Sequence, residues 1–412
     1  MTDGPAKNDM SLDEPGDSVR DVETERYGIV RLQLSDFRNY TRADIAVDPR
    51  PVVLTGQNGA GKTNLLEALS YLAPGRGLRG AMLGEVTRSC EEPSSRAWAI
   101  AATLATREGE LKLGTGLSPS PASDLTSLAA NDVGDRRVVR VDGQAAGGQK
   151  VLAEKIRLSW LVPSMDRLFT EAPSGRRRFI DRLTLALDPS HAARTSAYER
   201  AMRERNRVLE DDADPRWLGA LEEQMAEHGI AIAASRRETV EQLRVSSDSG
   251  TGAFPRAALA MSGMVDDWLS EVSATEAEDR FRQSLAKTRR QDGEAGRALF
   301  GPHRSDRSVR HVDKDEAAER CSTGEQKALL IGIVLAHARL QALASGATPL
   351  MLLDEVTAHL DAKRREALFD EICHAGVQAW LSGTDRSLFE GFGERAQYFE
   401  VSEGRLSRAA AI

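Results

Sequence analysis

Long apolar runs are missing from this chain: no stretch reaches the roughly 18 residues that would suggest a membrane span. Cysteine is scarce. Cys90, Cys321 and Cys373 are far apart, odd in number and form no C-x-x-C pair, which argues against a disulfide framework or a structural zinc site and suits a reducing cytosol. The seven histidines include no H-E-x-x-H pair. The first residues lack the apolar core of a secretion signal, so a cytoplasmic location is expected. An excess of positive charge is lacking too, the formal total being −8. Residues 1–26 carry eight acidic and three basic side chains, so −5 of that total lies there and −3 remains for the other 386 residues. With its Pro, Gly and Ser content, that stretch reads as a disordered acidic tail. A nucleic-acid partner is not excluded; its basic surface would have to be local.

What is present is an ordinary globular composition, 41% hydrophobic and 29% charged over 412 residues. Strand-like alternation begins at Ile29–Leu34, and a second strand, Pro51–Thr55, runs into GQNGAGKTN and then the helix-compatible LLEALSYLA. Residues 97–106 and 136–142 read as strands, and the turn-rich stretch near 115–135 between them as a surface loop. Between about 165 and 296 the pattern becomes long, charged and helical, with little strand signal and too few apolar heptads for a coiled coil. Alternation then resumes: a helix near 324–345, strand Leu350–Leu353, helix Ala362–His374, strand Val377–Ser382 and a last strand pair around AQYFEVSEGRLS. The expected architecture is an α/β core assembled from both ends of the chain with a mainly helical subdomain inserted. Its segments would be tail 1–26, core 27–164, insertion 165–296 and core 297–412.

GQNGAGKT, Gly56 to Thr63, satisfies G-x-x-x-x-G-K-[ST] between a strand and a helix, the setting the phosphate-binding loop requires. Gly56, Gln57, Asn58, Gly59, Ala60, Gly61, Lys62, Thr63 and Asn64 are therefore the candidate ATP cradle. The glycines let backbone N–H groups converge on phosphate, Lys62 reaches the β- and γ-phosphates, and the Thr63 hydroxyl can bind Mg²⁺. PLMLLDEVT supplies an apolar strand ending in Asp354-Glu355. Asp354 would hold Mg²⁺, and Glu355 would orient or deprotonate the attacking water. Ser322-Thr323-Gly324-Glu325 fits the capping box S/T-x-x-E ahead of an apolar run, about 30 residues before Asp354.

The order P-loop, S-x-G-E-Q at a helix start, strand ending in D-E, then L-D at Leu360-Asp361 resembles that of ABC-type ATPases. That resemblance implies that Ser322 and Gly324 act in trans on the ATP of a partner subunit, with Asp361 at the same interface. The 258 residues between Thr63 and Ser322 exceed the spacing of transporter subunits, and the insertion lacks the coiled coil of chromosome-organising relatives. LQLSDFRNY, GQNGAGKTNLLEAL, GRRRFIDR, LFGPHRSD, CSTGEQKALL and LLDEVTAHLD together resemble the RecF family of bacterial recombination mediators. The resemblance covers nearly the whole chain after Tyr27. It implies a slow ATPase that forms an ATP-dependent homodimer on duplex DNA near single-strand gaps, and that works with RecR and RecO in loading RecA during repair and the damage response. The alternative is an ABC-type ATPase regulating a nuclease or another non-DNA partner.

The pattern is not followed everywhere. Where the family carries a glutamine loop, LSWLVPSMDRLF has Ser159 and Trp160 and no glutamine. Where transporters carry a switch histidine, WLSGTDRS offers Thr384 and Asp385; Thr384 can hydrogen-bond a γ-phosphate but is a poorer proton partner, in keeping with slow turnover. Two basic clusters, Arg136, Arg137 and Arg140 and the run Arg176–Arg178, either meet DNA phosphates or form solvated charged faces. His303 and Arg304 either contact DNA or position the signature helix. The resemblance places Arg38 and Asn39 near the adenosine, and Trp98, Trp217 and Trp268 are expected in the core.

Overall fold

Alternating burial builds the first layer of the computed structural model, which describes residues 27–88, 97–118, 136–210, 214–248, 253–345 and 348–411. The expected acidic tail, Cys90 and most of the expected 115–135 loop lie outside the described residues. Strand β1 (Gly28–Phe37) turns Ile29, Leu32, Leu34 and Phe37 inward and pairs antiparallel with β2 (Tyr40–Ala46). Strand β3 (Val52–Thr55), buried throughout, leaves this layer and enters another; helix α1 (Lys62–Ser70) follows it. Strands β4 (Ala99–Thr106), β5 (Gly109–Ser118), β6 (Arg136–Val141) and β7 (Gln144–Ala145) complete an antiparallel sheet in the order β2-β1-β4-β5-β6-β7. Residues 115–118 therefore belong to a strand rather than to the expected loop. Gly114 and Gly116, which read as turn formers, sit within β5, where Gly116 lets the Trp98 carbonyl approach closely.

Helix α2 (Lys150–Lys155) leads into β8 (Leu158–Leu161). The helical region follows with α3 (Pro173–Leu187), α4 (His191–Glu210), α5 (Pro215–Asp248), strand β9 (Ala257–Ser262), α6 (Met264–Glu271), α7 (Ala274–Lys287) and α8 (Arg289–Ala295). Strand β9 is a feature the sequence reading missed. It pairs antiparallel with β10 (Asp306–His311), which also pairs with β11 (Glu316–Ala317). Helix α9 (Thr323–Ser345), β12 (Leu350–Leu353), α10 (Ala362–His374), β13 (Ala379–Gly383), β14 (Gln397–Ser402) and β15 (Arg405–Ala409) follow.

The central sheet runs β15-β14-β3-β13-β12-β8, parallel except for β15. Strand β3 from the chain's start lies between β13 and β14 from its end, so the core is discontinuous, as expected. Its two faces belong to different hydrophobic clusters. Val52, Leu54, Leu352 and Trp380 pack with α1 and the antiparallel sheet. Val53, Met351, Leu353 and Leu381 pack with α3, α9 and α10. This is the both-faces-covered arrangement that parallel sheets require. Helix α9 is apolar enough to cross a bilayer by length and composition, yet 67% of that window is buried, as in a core helix. Trp98 is buried, but Trp217, expected in the core, is 47% exposed because it falls on the outer side of α5.

Candidate nucleotide site

The crevice outside the carboxyl ends of the parallel strands is where β3 delivers the P-loop. Gly56 has φ 149° and Gly61 φ 119°, backbone that favours glycine. A Cβ on Gly56 would lie 2.2 Å from the Val401 carbonyl oxygen, and one on Gly61 would lie 2.5 Å from Asn39 Nδ2. Helix α1 starts at Lys62 without a side-chain cap, so its first N–H groups are open to an anion. Gln57, Asn58 and Gly59 are exposed at the loop's outer edge, Gly56, Ala60, Thr63 and Asn64 are half-buried, and Gly61 is buried.

The FRNY segment, given an adenosine role by resemblance, braces this loop. Tyr40 donates to the Gly61 carbonyl at 2.9 Å, and Asn39 donates to the Ala60 carbonyl at 3.0 Å and accepts from Asn64 at 2.8 Å. Arg38 is turned the other way, held bidentately by the fully buried Glu67 of α1. Arg79 pairs with the same carboxylate at 2.9 Å.

Lys62 folds over the cradle, donating to the Gly56 and Gln57 carbonyls at 2.7 and 2.9 Å. Burial pushes its ammonium below the usual lysine range, opposed by the nearby Glu355 and Asp354 carboxylates. Thr63 donates to Asp354 Oδ1 at 3.0 Å across 291 residues of chain, so the two expected Mg²⁺ groups do meet. Asp354 also accepts from Ser382 at 2.6 Å, and Ser382 accepts from the Glu355 amide at 3.0 Å. Ser382 was missed because a lone serine inside an apolar strand carries no motif. Glu355 adopts φ 51°, a conformation uncommon for a non-glycine residue.

Ser322 and Gly324 stand elsewhere. Ser322 caps α9 with a reciprocal box: its amide donates to Glu325 Oε2 at 3.0 Å and its hydroxyl accepts from the Glu325 amide at 3.4 Å. Lys314 pairs with Glu325, and this hydrogen bond, with those from Ser322, holds the carboxyl down at about 2. No described hydrogen bond or ion pair joins Ser322 or Gly324 to the P-loop of the same chain. One turn on, Lys327 approaches the Glu355 carbonyl at 3.4 Å and Asp166 at 3.5 Å. Asp361 is exposed and caps α10 by accepting from the Arg364 amide at 2.9 Å. Thr384 is exposed just past the carboxyl end of β13.

Ser159, at the position compared with the family's glutamine loop, lies within β8 and accepts from Gln341 of α9 at 3.0 Å. The chain leaving β8 instead brings Asp166 toward Lys327. Of the basic residues, Arg137 is buried, donating to Thr115, Gly75 and Tyr71, and Arg176 is bidentate with Asp306. Arg177 donates to the Ser305 carbonyl at 3.0 Å. Arg136, Arg140, Arg178 and Arg304 are exposed. His303 accepts from Tyr198 at 2.7 Å and donates to the Ala298 carbonyl at 3.1 Å, which suits a neutral ring fixed within its loop.

A nucleotide cradle on one sheet, with a capped helix start presented separately from it, defines an ATPase head of the ABC class. The model of the RecF/RecN/SMC N-terminal domain matches residues 28–404. Proteins named DNA replication and repair protein RecF are similar along almost their full length. The one from Rhizobium etli is 48% identical over 384 residues, 92% of this chain and 99% of the relative. The one from Agrobacterium fabrum is 47% identical over 387 residues, 93% and 99% respectively. A solved structure of the recombination mediator RecF with ATP superposes with a TM-score of 0.79 at 21% identity, covering 94% of this chain and 98% of that one. An Smc head bound to the C-terminal winged-helix domain of ScpA superposes at 0.54 and 15% identity, covering 93% and 98%. The chain belongs to the RecF family.

Proposed function

We propose that this chain is an ATP-dependent DNA-binding protein of recombinational repair and replication, working in the cytoplasm as a homodimer that closes around two ATP molecules. The observation that carries the proposal is the separation of Ser322 and Gly324 from their own P-loop: the α9 start is exposed and makes no described bond to it. A second copy is then needed to complete each site. ATP with Mg²⁺ fits the residues present, because Thr63 and Asp354 meet beside an uncapped helix start. When bound, the metal supplies charge neutralisation on the phosphates.

The chain's own groups divide the remaining work. Lys62 moves from the Gly56 and Gln57 carbonyls to phosphate oxygens. Glu355 orients the attacking water and accepts its proton, and Ser322 and Gly324 meet the partner's γ-phosphate. Asp361 lines the same interface, and Thr384 hydrogen-bonds phosphate where a histidine would transfer protons more readily, which supports slow hydrolysis. Duplex DNA near gaps is the proposed partner, because the relatives are named for DNA replication and repair. RecR, RecO and, functionally, RecA are further proposed partners, since the similar solved structure is a RecF of the RecFOR pathway.

Fluorescence anisotropy with gapped, duplex and single-stranded DNA, with and without ATP and Mg²⁺, tests the reading. Tighter binding to duplex-containing DNA with ATP, weakening steeply with salt, is expected. Binding to none of the three would remove DNA as the partner and favour a non-DNA one.

A further inference from the structure

We propose that Ser382 is the positioning residue that sets both acidic groups of the nucleotide site; the inference rests on the ATPase reading above. Ser382 lies near the end of β13, the strand beside β12, and is 1% exposed. Its hydroxyl has one proton to give and lone pairs to receive. The proton goes to Asp354 Oδ1 at 2.6 Å, and the lone pair takes the Glu355 amide at 3.0 Å. One side chain thereby fixes the rotation of the Asp354 carboxylate and the backbone from which Glu355 projects.

The geometry makes these contacts consequential. Thr63 donates to the same Asp354 oxygen at 3.0 Å, so two hydroxyls converge on Oδ1 while Oδ2 takes no protein hydrogen bond among the described residues. Glu355 holds a left-handed φ of 51°, which relaxes readily unless its surroundings over-determine it. Alanine at 382 would leave Asp354 Oδ1 held by Thr63 alone and the Glu355 amide without its acceptor. Threonine would restore both bonds. A partner that orients a metal-binding side chain from behind is typically worth about 10- to 100-fold in metal affinity or activity.

The test titrates Mg²⁺ into the full-length protein with a fluorescent ATP analogue bound, comparing wild type, Ser382→Ala and Ser382→Thr, with ATP hydrolysis followed in parallel. The alanine variant is expected to bind nucleotide in EDTA as the wild type does, and to need roughly tenfold more Mg²⁺ at the midpoint. Its kcat should fall about 10- to 100-fold with little change in KM. The threonine variant should return the Mg²⁺ midpoint to nearly the wild-type value. An unchanged midpoint and kcat in Ser382→Ala would overturn the proposal, as would equal impairment of the alanine and threonine variants. If Ser382→Ala does not fold, Ser382→Cys, which keeps the volume and weakens both bonds, is read in the same way. Lys62→Met separates the two levels of inference. A wild type indistinguishable from Lys62→Met in nucleotide binding would sink the ATPase reading; a clear difference there with no effect at Ser382 would sink only the positioning role.

Discussion

His337 is enclosed between α9, β8 and α3, where its Nε2–H donates to the Leu183 carbonyl at 2.9 Å and its Nδ1 accepts from Gln341 at 2.8 Å. Burial pulls the ring down to about 4 from an ordinary 6.5. The native state therefore holds it neutral while the unfolded chain protonates it first. Its contribution is complete above about pH 6.5 and is lost as pH falls toward 4, on the order of 3 kcal/mol in all. Thermal melts between pH 7 and 4 should show a steeper fall for the wild type than for His337→Gln; equal slopes would contradict this assignment. Single residues also show where reading the sequence stops. Lys62, Thr63, Asp354 and Glu355 announce themselves because spacing and strand context define them. Ser382, Asn39 and Tyr40 act through contacts made between distant parts of the chain, and nothing in their local sequence marks those contacts.

At the scale of elements, the start of α9 is observed as a capped helix end and proposed as a phosphate contact. Ser322 and Glu325 satisfy each other's amides as the sequence pattern implies, and Lys314 holds the glutamate from a neighbouring turn. A partner's phosphate would compete for the same N–H groups. Ser322→Ala should cost the isolated protein about 1 kcal/mol through loss of the cap, measured by denaturant unfolding. Ser322→Arg should bind ATP normally and fail to dimerise; dimers surviving that change would contradict action in trans. The helices and the alternating strands were legible because their periodicity is long, and α7, α9 and α10 also begin at capping residues. Strand β9, AALAMS, was not, because it is short, alanine-rich and set among charged helices, and its pairing with β10 is made 44 to 54 residues away. Strand β5 was hidden by Gly114 and Gly116, which read locally as turn formers, while Gly116 serves a close backbone approach.

For the whole molecule, β3 is the keystone: four buried residues from the start of the chain separate β13 from β14 and carry the P-loop between them. Nucleotide contacts are thereby linked to both halves of the chain, while α9 presents Ser322 and Gly324 apart from the cradle. On the proposed dimer, half of each site would lie on either subunit, and nucleotide and assembly would be coupled by mass action. Sedimentation velocity of the wild type with ATP and Mg²⁺, with ADP and Mg²⁺, and without nucleotide tests that coupling most directly. A shift from monomer to dimer with ATP alone, abolished in Ser322→Arg, is expected. A monomer under all three conditions, or a dimer indifferent to both nucleotide and the substitution, would contradict it.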